Sequence, residues 1–364
     1  MTDDFMPLDG WDHVELWVGN AKQAAYYYEH AFGFRRTAYA GPETGVRDRA
    51  SYVVEQNDIR LVLTSALQRD HEIGLHAFVH GDGVKDISLR VPDAAEAYRQ
   101  AVQRGARGVT EPRVLEDEFG KVTLATIATY GDVVHTFVDR SHYEGAYLPG
   151  YQALECAQTD DGVGLIALDH IVGNVELGQM NPWVEFYENV FGMTEMIHFT
   201  DEAISTEYSA LMSKVVTGGD GRVKFPINEP AEGKRKSQID EYLEFYEGAG
   251  AQHVALTTDD IVSAVAELRA RGIRFLRTPD SYYEEVPGRI GEIAESLEDL
   301  RRLGILVDRD DEGYLLQIFT APLGDRPTIF FELIERHGAR GFGEGNFKAL
   351  FEAIEREQAL RGNL

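Results

Sequence analysis

Short stretches in which apolar and polar residues alternate recur along the chain, separated by segments whose apolar residues return every three or four positions. The alternation predicts strands at 87–91, 122–127 and 134–138, and again at 254–257, 314–320 and 328–334. Helical spacing runs into Tyr28-Glu29-His30-Ala31-Phe32-Gly33 and into Tyr187-Glu188-Asn189-Val190-Phe191-Gly192, where a glycine just past the last periodic residue supplies a stop. A last helical pattern covers Lys348-Ala349-Leu350-Phe351-Glu352-Ala353-Ile354.

These elements repeat. Asp12-His13-Val14 and Asp169-His170-Ile171 each open a short apolar strand that leads into one of the two glycine-stopped helices. Residues 83–112 align without gaps on 250–279 at a constant offset of 167, so that Asp93 meets Asp260 and Gly105 meets Gly272. In both copies an alternating strand precedes an amphipathic helix ending at Arg-Gly. Self-similarity over this length implies a duplicated α+β domain rather than a solenoid, whose repeats are far shorter. The seam is expected between Arg140 and Leu165, a stretch with Pro149, several glycines and the acidic pair Asp160-Asp161.

Length agrees with two domains, since 364 residues exceed the span of one ordinary core. With 43% hydrophobic and 27% charged residues the composition is globular. The single cysteine, Cys156, rules out an internal disulfide and a CxxC metal site, which fits a reducing compartment. Met1 to Phe5 lacks the basic start and apolar run of a signal peptide, and no stretch reaches the ~18 apolar residues of a membrane span, so a cytoplasmic protein without membrane contact is expected. Asp and Glu outnumber Lys and Arg by 62 to 35, a net charge of −27 that repels phosphate backbones and anionic lipids. Nucleic acid is therefore not expected as a partner, and an anionic substrate would need a local positive centre.

Comparing each residue with its twin isolates a candidate centre. His170 faces His13, His253 faces Asp86 across the offset of 167, and Glu332 faces Thr136 when the acid-Arg pairs Glu335-Arg336 and Asp139-Arg140 are superposed. The second half thus carries His, His and Glu on three strands, where the first carries His, Asp and Thr. Two imidazoles and one carboxylate on one face of a metal leave positions open, an arrangement suited to iron(II), a bidentate substrate and dioxygen; ligand type alone also admits zinc or manganese. Burying Glu332 without a partner would be costly, and a metal supplies one. Gly341-Phe342-Gly343-Glu344-Gly345 is not a dinucleotide-binding turn: its third glycine comes one residue early and no βαβ unit follows.

Longer stretches carry a resemblance. Lys224-Phe225-Pro226-Ile227-Asn228-Glu229-Pro230, Lys236-Ser237-Gln238-Ile239, Gly248-Ala249-Gly250-Ala251-Gln252-His253, Leu316-Gln317-Ile318-Phe319, Asp325-Arg326-Pro327-Thr328-Ile329-Phe330-Phe331-Glu332 and Gly341-Phe342-Gly343-Glu344-Gly345-Asn346-Phe347 resemble the 4-hydroxyphenylpyruvate dioxygenase family of the vicinal-oxygen-chelate fold, over nearly the whole chain. The resemblance implies tandem vicinal-oxygen-chelate domains built from βαβββ modules: a metal-free structural domain at 9–150 and a catalytic domain at 165–364, the latter an open barrel around the metal with a lid helix at 341–361.

It also implies one iron(II) per subunit on His170, His253 and Glu332. Gln238 and Asn228 would be catalytic, and with Ser213, Gln252 and Gln317 would form the polar end of a substrate pocket. Phe319, Phe330, Phe342 and Phe347 would be its aromatic wall, and Pro226 would shape the strand beside Asn228. On alternating strands Phe330 shares a face with Glu332, and Gln317 with Phe319; Gln252 adjoins His253 and on a regular strand would point away from it. The implied reaction takes 4-hydroxyphenylpyruvate and dioxygen to homogentisate and carbon dioxide, in tyrosine and phenylalanine catabolism, by decarboxylation, ring hydroxylation and side-chain migration. A homo-oligomer, dimer or tetramer, is implied as well. The rival activity is that of 4-hydroxymandelate synthase, with the same substrate hydroxylated at the benzylic carbon, against which Pro226-Ile227-Asn228 speaks. A metal-free binding module of the same fold is the alternative from another class.

Overall fold

The computed structural model describes residues 4–155, 162–199, 210–231 and 236–363; Cys156 and the Asp160-Asp161 pair lie outside them. The first half runs β1 (Gly10–Trp17), α1 (Ala21–Phe32), β2 (Arg35–Ala40), β3 (Arg49–Gln56), β4 (Ile59–Ala66), α2 (Glu72–His80), β5 (Gly83–Arg90), α3 (Ala94–Gln103), β6 (Gly108–Asp117), β7 (Gly120–Ala128), β8 (Val134–Tyr143) and β9 (Gln152–Ala153). The second runs β10 (Leu165–Asn174), α4 (Met180–Phe191), β11 (Thr194–Phe199), β12 (Ala210–Gly218), β13 (Val223–Ala231), α5 (Gln238–Tyr246), β14 (Gly250–Thr258), α6 (Ile261–Ala270), α7 (Asp280–Ile290), α8 (Leu297–Leu303), β15 (Leu306–Arg309), β16 (Tyr314–Phe319), β17 (Phe330–His337) and α9 (Phe347–Leu360).

Local chemistry explains why the halves repeat. Gly33 and Gly192 end α1 and α4 in the left-handed conformation, with φ of 73° and 67°, which glycine adopts without steric cost. The paired aspartates Asp93 and Asp260 are N-caps: their carboxylates accept from Glu96 N and Ser263 N at 2.9 Å each. Each such cap stabilises its helix by about 1 kcal/mol.

One sheet has the order β6-β7-β8-β5-β1-β4-β3-β2-β9, and the other, taken from the corresponding edge, β15-β16-β17-β14-β10-β13-β12-β11. Apart from β9, the two match strand for strand. Within each βαβββ module the first strand pairs parallel with the last, β1 with β4, β5 with β8, β10 with β13 and β14 with β17. The two leading strands of each half meet antiparallel at the centre, β1 with β5 and β10 with β14. The chain is α+β with tandem vicinal-oxygen-chelate units, and the edge strands of each sheet stay apart, which leaves each barrel open.

The gapless alignment of 83–112 on 250–279 ends structurally after the helix. Pro112 lies within β6, whereas Pro279 precedes α7, and α7 and α8 are inserted before β15. One apolar core spans both halves: Phe331, fully buried, sets its ring 5.2 Å from Phe32 and 5.9 Å from Tyr28. Among the described residues no helix is long and apolar enough to cross a membrane.

Candidate metal centre

Three adjacent strands of the second sheet, β10, β14 and β17, carry His170, His253 and Glu332 respectively. Register brings them together. His253 pairs with Phe330 and Ala255 with Glu332 across β14 and β17, while Val172 pairs with His253 across β10 and β14. His170 Nε2 lies 3.1 Å and His253 Nε2 3.3 Å from Glu332 Oε2, and all three side chains are buried.

Two bulges aim the supporting groups. Leu168 pairs with Leu256 but His170 with Ala255, so Asp169 is an extra residue on β10; Val172 pairs with His253 but Gly173 with Ala251, so Gln252 is extra on β14. A bulge breaks strict alternation and puts neighbouring side chains on one side. Asp169 Oδ1 therefore reaches His170 Nδ1 at 2.7 Å, and Gln252 Oε1 reaches His253 Nδ1 at 3.0 Å. The bulge is what lets Gln252 line the cleft beside His253, where a regular strand would have turned it away. With an oxygen acceptor at each Nδ1, Nε2 is the nitrogen each ring turns toward Glu332, and it would bind a metal once it has given up its proton.

The electrostatics agree. Burial alone would raise the Glu332 carboxyl, yet the two imidazoles hold it down at about 2. Burial opposes protonation of His170, but Glu332 and Asp169 outweigh it and shift that imidazole upward; burial dominates at His253, which is lowered. An anionic carboxylate and two imidazoles whose Nε2 atoms converge on it form a donor set that fits a divalent cation, which would displace the Nε2 protons. Their donor atoms lie within 4.8 Å of one another. Another such group among the described residues, Glu295, Glu335 and His337, reads as an ion-paired cluster, because Glu335 Oε2 already accepts from Ile261 N at 2.8 Å and His337 Nε2 lies 2.7 Å from Glu335 Oε1 and 3.1 Å from Glu295 Oε1.

A cleft opens over the three groups. Ser213, Asn228, Gln238, Gln252 and Gln317 contribute its polar lining, and Phe319, Phe330, Phe342 and Phe347 its rings. Phe330 stacks on His253 at 4.8 Å, and Phe342 meets His170 edge-on at 4.9 Å. Pro226 also lines the cleft, and its missing N–H has a local effect. The β10–β13 ladder keeps two registered pairs, Gly173 with Ile227 and Asn174 with Asn228, where the twin β1–β4 ladder has four. Residues of α9 close the far side, Leu350, Phe351 and Ile354 among them, which the sequence reading did not assign. Gly343 makes the turn into this segment possible: at φ of 75°, a Cβ there would sit 1.9 Å from Gln317 Oε1.

Comparison with known proteins decides the family. Residues 2–149 match the model for the N-terminal part of hydroxyphenylpyruvate dioxygenase, and residues 167–318 that of the glyoxalase/bleomycin resistance protein/dioxygenase superfamily. The chain is 50% identical to the 4-hydroxyphenylpyruvate dioxygenase of Dictyostelium discoideum, covering 98% of this chain and 100% of that one. It is 48% identical to the Xenopus tropicalis protein of the same name, covering 97% and 92%. The chain belongs to the 4-hydroxyphenylpyruvate dioxygenase family. Among solved structures, a mutant of 4-hydroxymandelate synthase from Streptomyces coelicolor superposes with a TM-score of 0.87 at 36% identity, over 97% of this chain and 100% of that one.

Membership in the dioxygenase family implies an oxidoreductase with a metal cofactor, and the second half supplies donors for it. Among its described residues the first half does not. Asp86 accepts from Thr136 N at 3.0 Å and from the Thr136 hydroxyl, so the twins of His253 and Glu332 satisfy each other. His13 Nε2 meets Tyr147 Oη at 3.0 Å and Ser88 Oγ at 3.1 Å. The sequence reading missed Asp169 and Arg336 as a supporting pair, with Arg336 Nε 2.8 Å from Asp169 Oδ2 and Nη2 2.9 Å from Oδ1. Their signal was the repeated Asp-His and acid-Arg pairs.

Proposed function

We propose that this chain converts 4-hydroxyphenylpyruvate and dioxygen to homogentisate and carbon dioxide, with one iron(II) held by His170, His253 and Glu332. The observation that carries this reading is the convergence of those three buried side chains under a cleft walled by Phe319, Phe330, Phe342 and Phe347. When bound, the iron would supply the chelation of the 2-oxo acid and the activation of dioxygen.

The chain's own residues would do the rest. Three donors on one side of an ion leave the opposite side for substrate, and an ion with a single carboxylate keeps a net positive charge that attracts the 2-oxo carboxylate despite the acidic surface. Phe330 and Phe319 would clamp the aromatic ring by offset and edge contacts. Gln238, Asn228 and Ser213 would bind the phenol, whose hydroxyl both donates and accepts as amides and hydroxyls do. Gln252 would hold the His253 tautomer, and Gln317, whose Nε2 lies 3.4 Å from Glu332 Oε1, would orient the carboxylate. The segment 341–361 is read as a lid, since Phe342, Phe347 and Leu350 line the cleft and exclude water from it. The first half is read as a metal-free support within a cytoplasmic homo-oligomer.

The likeness to 4-hydroxymandelate synthase motivates a second reading, benzylic hydroxylation of the same substrate. One assay separates them. Iron(II)-loaded protein given 4-hydroxyphenylpyruvate and oxygen is expected to yield homogentisate; 4-hydroxymandelate as product would overturn the assignment, and neither product would point to a binding module.

A further inference from the structure

Around His170 the contacts close into a ring that the metal-ligand description does not use. Asp169 holds His170 Nδ1, and the Arg336 fork grips both Asp169 oxygens. The remaining guanidinium nitrogen of Arg336 reaches forward to the carbonyls of Gly341 at 2.7 Å and Ala339 at 3.2 Å. Arg336 also lies 5.6 Å from the centre of the Phe342 ring, which in turn meets the His170 imidazole at 4.9 Å. Arg336 thus touches both the support of a metal ligand and the residues from which α9 departs. Lys224, 3.2 Å from Asp169 Oδ2, adds a second cation, and Asp310 Oδ2 anchors the same turn by accepting from Arg340 N and Gly341 N at 2.8 Å.

The first half contains the same ring without a metal site. Asp12 holds His13 Nδ1 at 2.7 Å, Arg140 grips both Asp12 oxygens at 2.6 Å, and its free nitrogen donates to the Tyr147 carbonyl at 2.6 Å. Arg140 lies 5.7 Å from the Tyr147 ring, which meets His13 edge-on at 5.2 Å. A purely structural role would be the same in both halves. Only in the second does the ring join a candidate metal ligand to a segment that covers the cleft.

We infer that Arg336 is a positioning residue that couples metal occupancy at His170 to closure of the C-terminal segment 341–360. Tightening of His170 by a bound ion stiffens Asp169, hence the Arg336 fork, hence the Gly341 carbonyl and Phe342 that start the lid. Coupling between two sites is reciprocal, so an ion that favours the closed segment is itself bound more tightly when the segment is closed. This rests on the metal-centre reading given above.

The test uses the full chain and iron(II) under anaerobic conditions, with limited proteolysis of 341–360 and calorimetric metal affinity as readouts. In the wild type, saturating iron should slow cleavage of the segment by about tenfold. Arg336→Lys, which keeps the charge but loses the fork, should weaken iron binding by roughly 10- to 100-fold, the range for losing a group that orients a ligand. At saturating metal it should still show rapid cleavage. Arg140→Lys, the same change in the metal-free ring, should move neither readout even where it lowers stability as much. Iron binding without protection in the wild type, or equal protection in Arg336→Lys, would overturn the coupling while leaving the metal centre intact. Absence of iron binding to the wild type would instead overturn the metal centre.

Discussion

The two halves differ at the tip of one ring, and that difference makes a quantitative prediction. In the first half the Tyr147 hydroxyl sits 3.0 Å from His13 Nε2, the position that a metal would need. In the second half Phe342 stands in the same relation to His170, at 4.9 Å and 69° against 5.2 Å and 83°, and has no hydroxyl. Phe342→Tyr should therefore place a phenol against His170 Nε2. A neutral buried hydrogen bond is worth about 1 kcal/mol net, and a metal would have to break it. It would also have to push the phenol out of a packed position, 8% exposed in Phe342, into a poorer rotamer, at a further ~1 kcal/mol. About 2 kcal/mol in all is a loss of affinity of roughly 30-fold, at about 1.4 kcal/mol per decade. Anaerobic calorimetric titration with iron(II) measures this directly, and urea unfolding of the metal-free protein should show the variant at least as stable as the wild type. Iron binding within threefold of the wild type, or tighter, would refute the idea that the missing hydroxyl keeps the metal position open.

Further outcomes follow from the core, the pH response and the lid. His135 is fully buried, with Nδ1 donating to the Ile87 carbonyl and Nε2 accepting from the Tyr187 hydroxyl at 2.8 Å, and burial lowers its imidazole to about 4. A group lowered on folding stabilises above its unfolded value near 6.5 and loses that contribution as pH falls to about 4. The wild type should thus lose about 3 kcal/mol more than His135→Gln between pH 7 and pH 4 in urea unfolding; equal losses would contradict this. Phe331→Ala empties a site filled against Phe32 and Tyr28 and should cost about 3–5 kcal/mol in the same assay, whereas a loss below about 1 kcal/mol would mean that the halves do not share this core. Ending the chain at Arg340 removes Phe342, Phe347 and Leu350 from the cleft and should reduce kcat/KM by more than about tenfold; unchanged turnover would sink the lid.

Much of this architecture is legible in the letters because duplication supplies an internal reference. The aligned Asp93 and Asp260 are caps, Gly33 and Gly192 are helix stops, and the contrast of His253 and Glu332 with Asp86 and Thr136 singles out one half. The ladder registers then agree, since Glu332 lies on β17 where Thr136 lies on β8. What the letters hide is irregularity. The bulges at Asp169 and Gln252 depend on which residue opposes which across a ladder, so alternation alone sends Gln252 to the wrong face. The inserted helices α7 and α8 have no twin to be compared with. Arg336 reads as a charged strand end until the fold brings it against Asp169, 167 positions earlier in the chain.

The proposed activity needs three side chains to hold one ion in one half of a duplicated protein. Anaerobic titration of the metal-free chain with iron(II) should give a stoichiometry of one per chain, abolished by Glu332→Ala, while Asp86→Ala leaves it at one. Two ions per chain, or one that survives Glu332→Ala unchanged, would contradict the assignment.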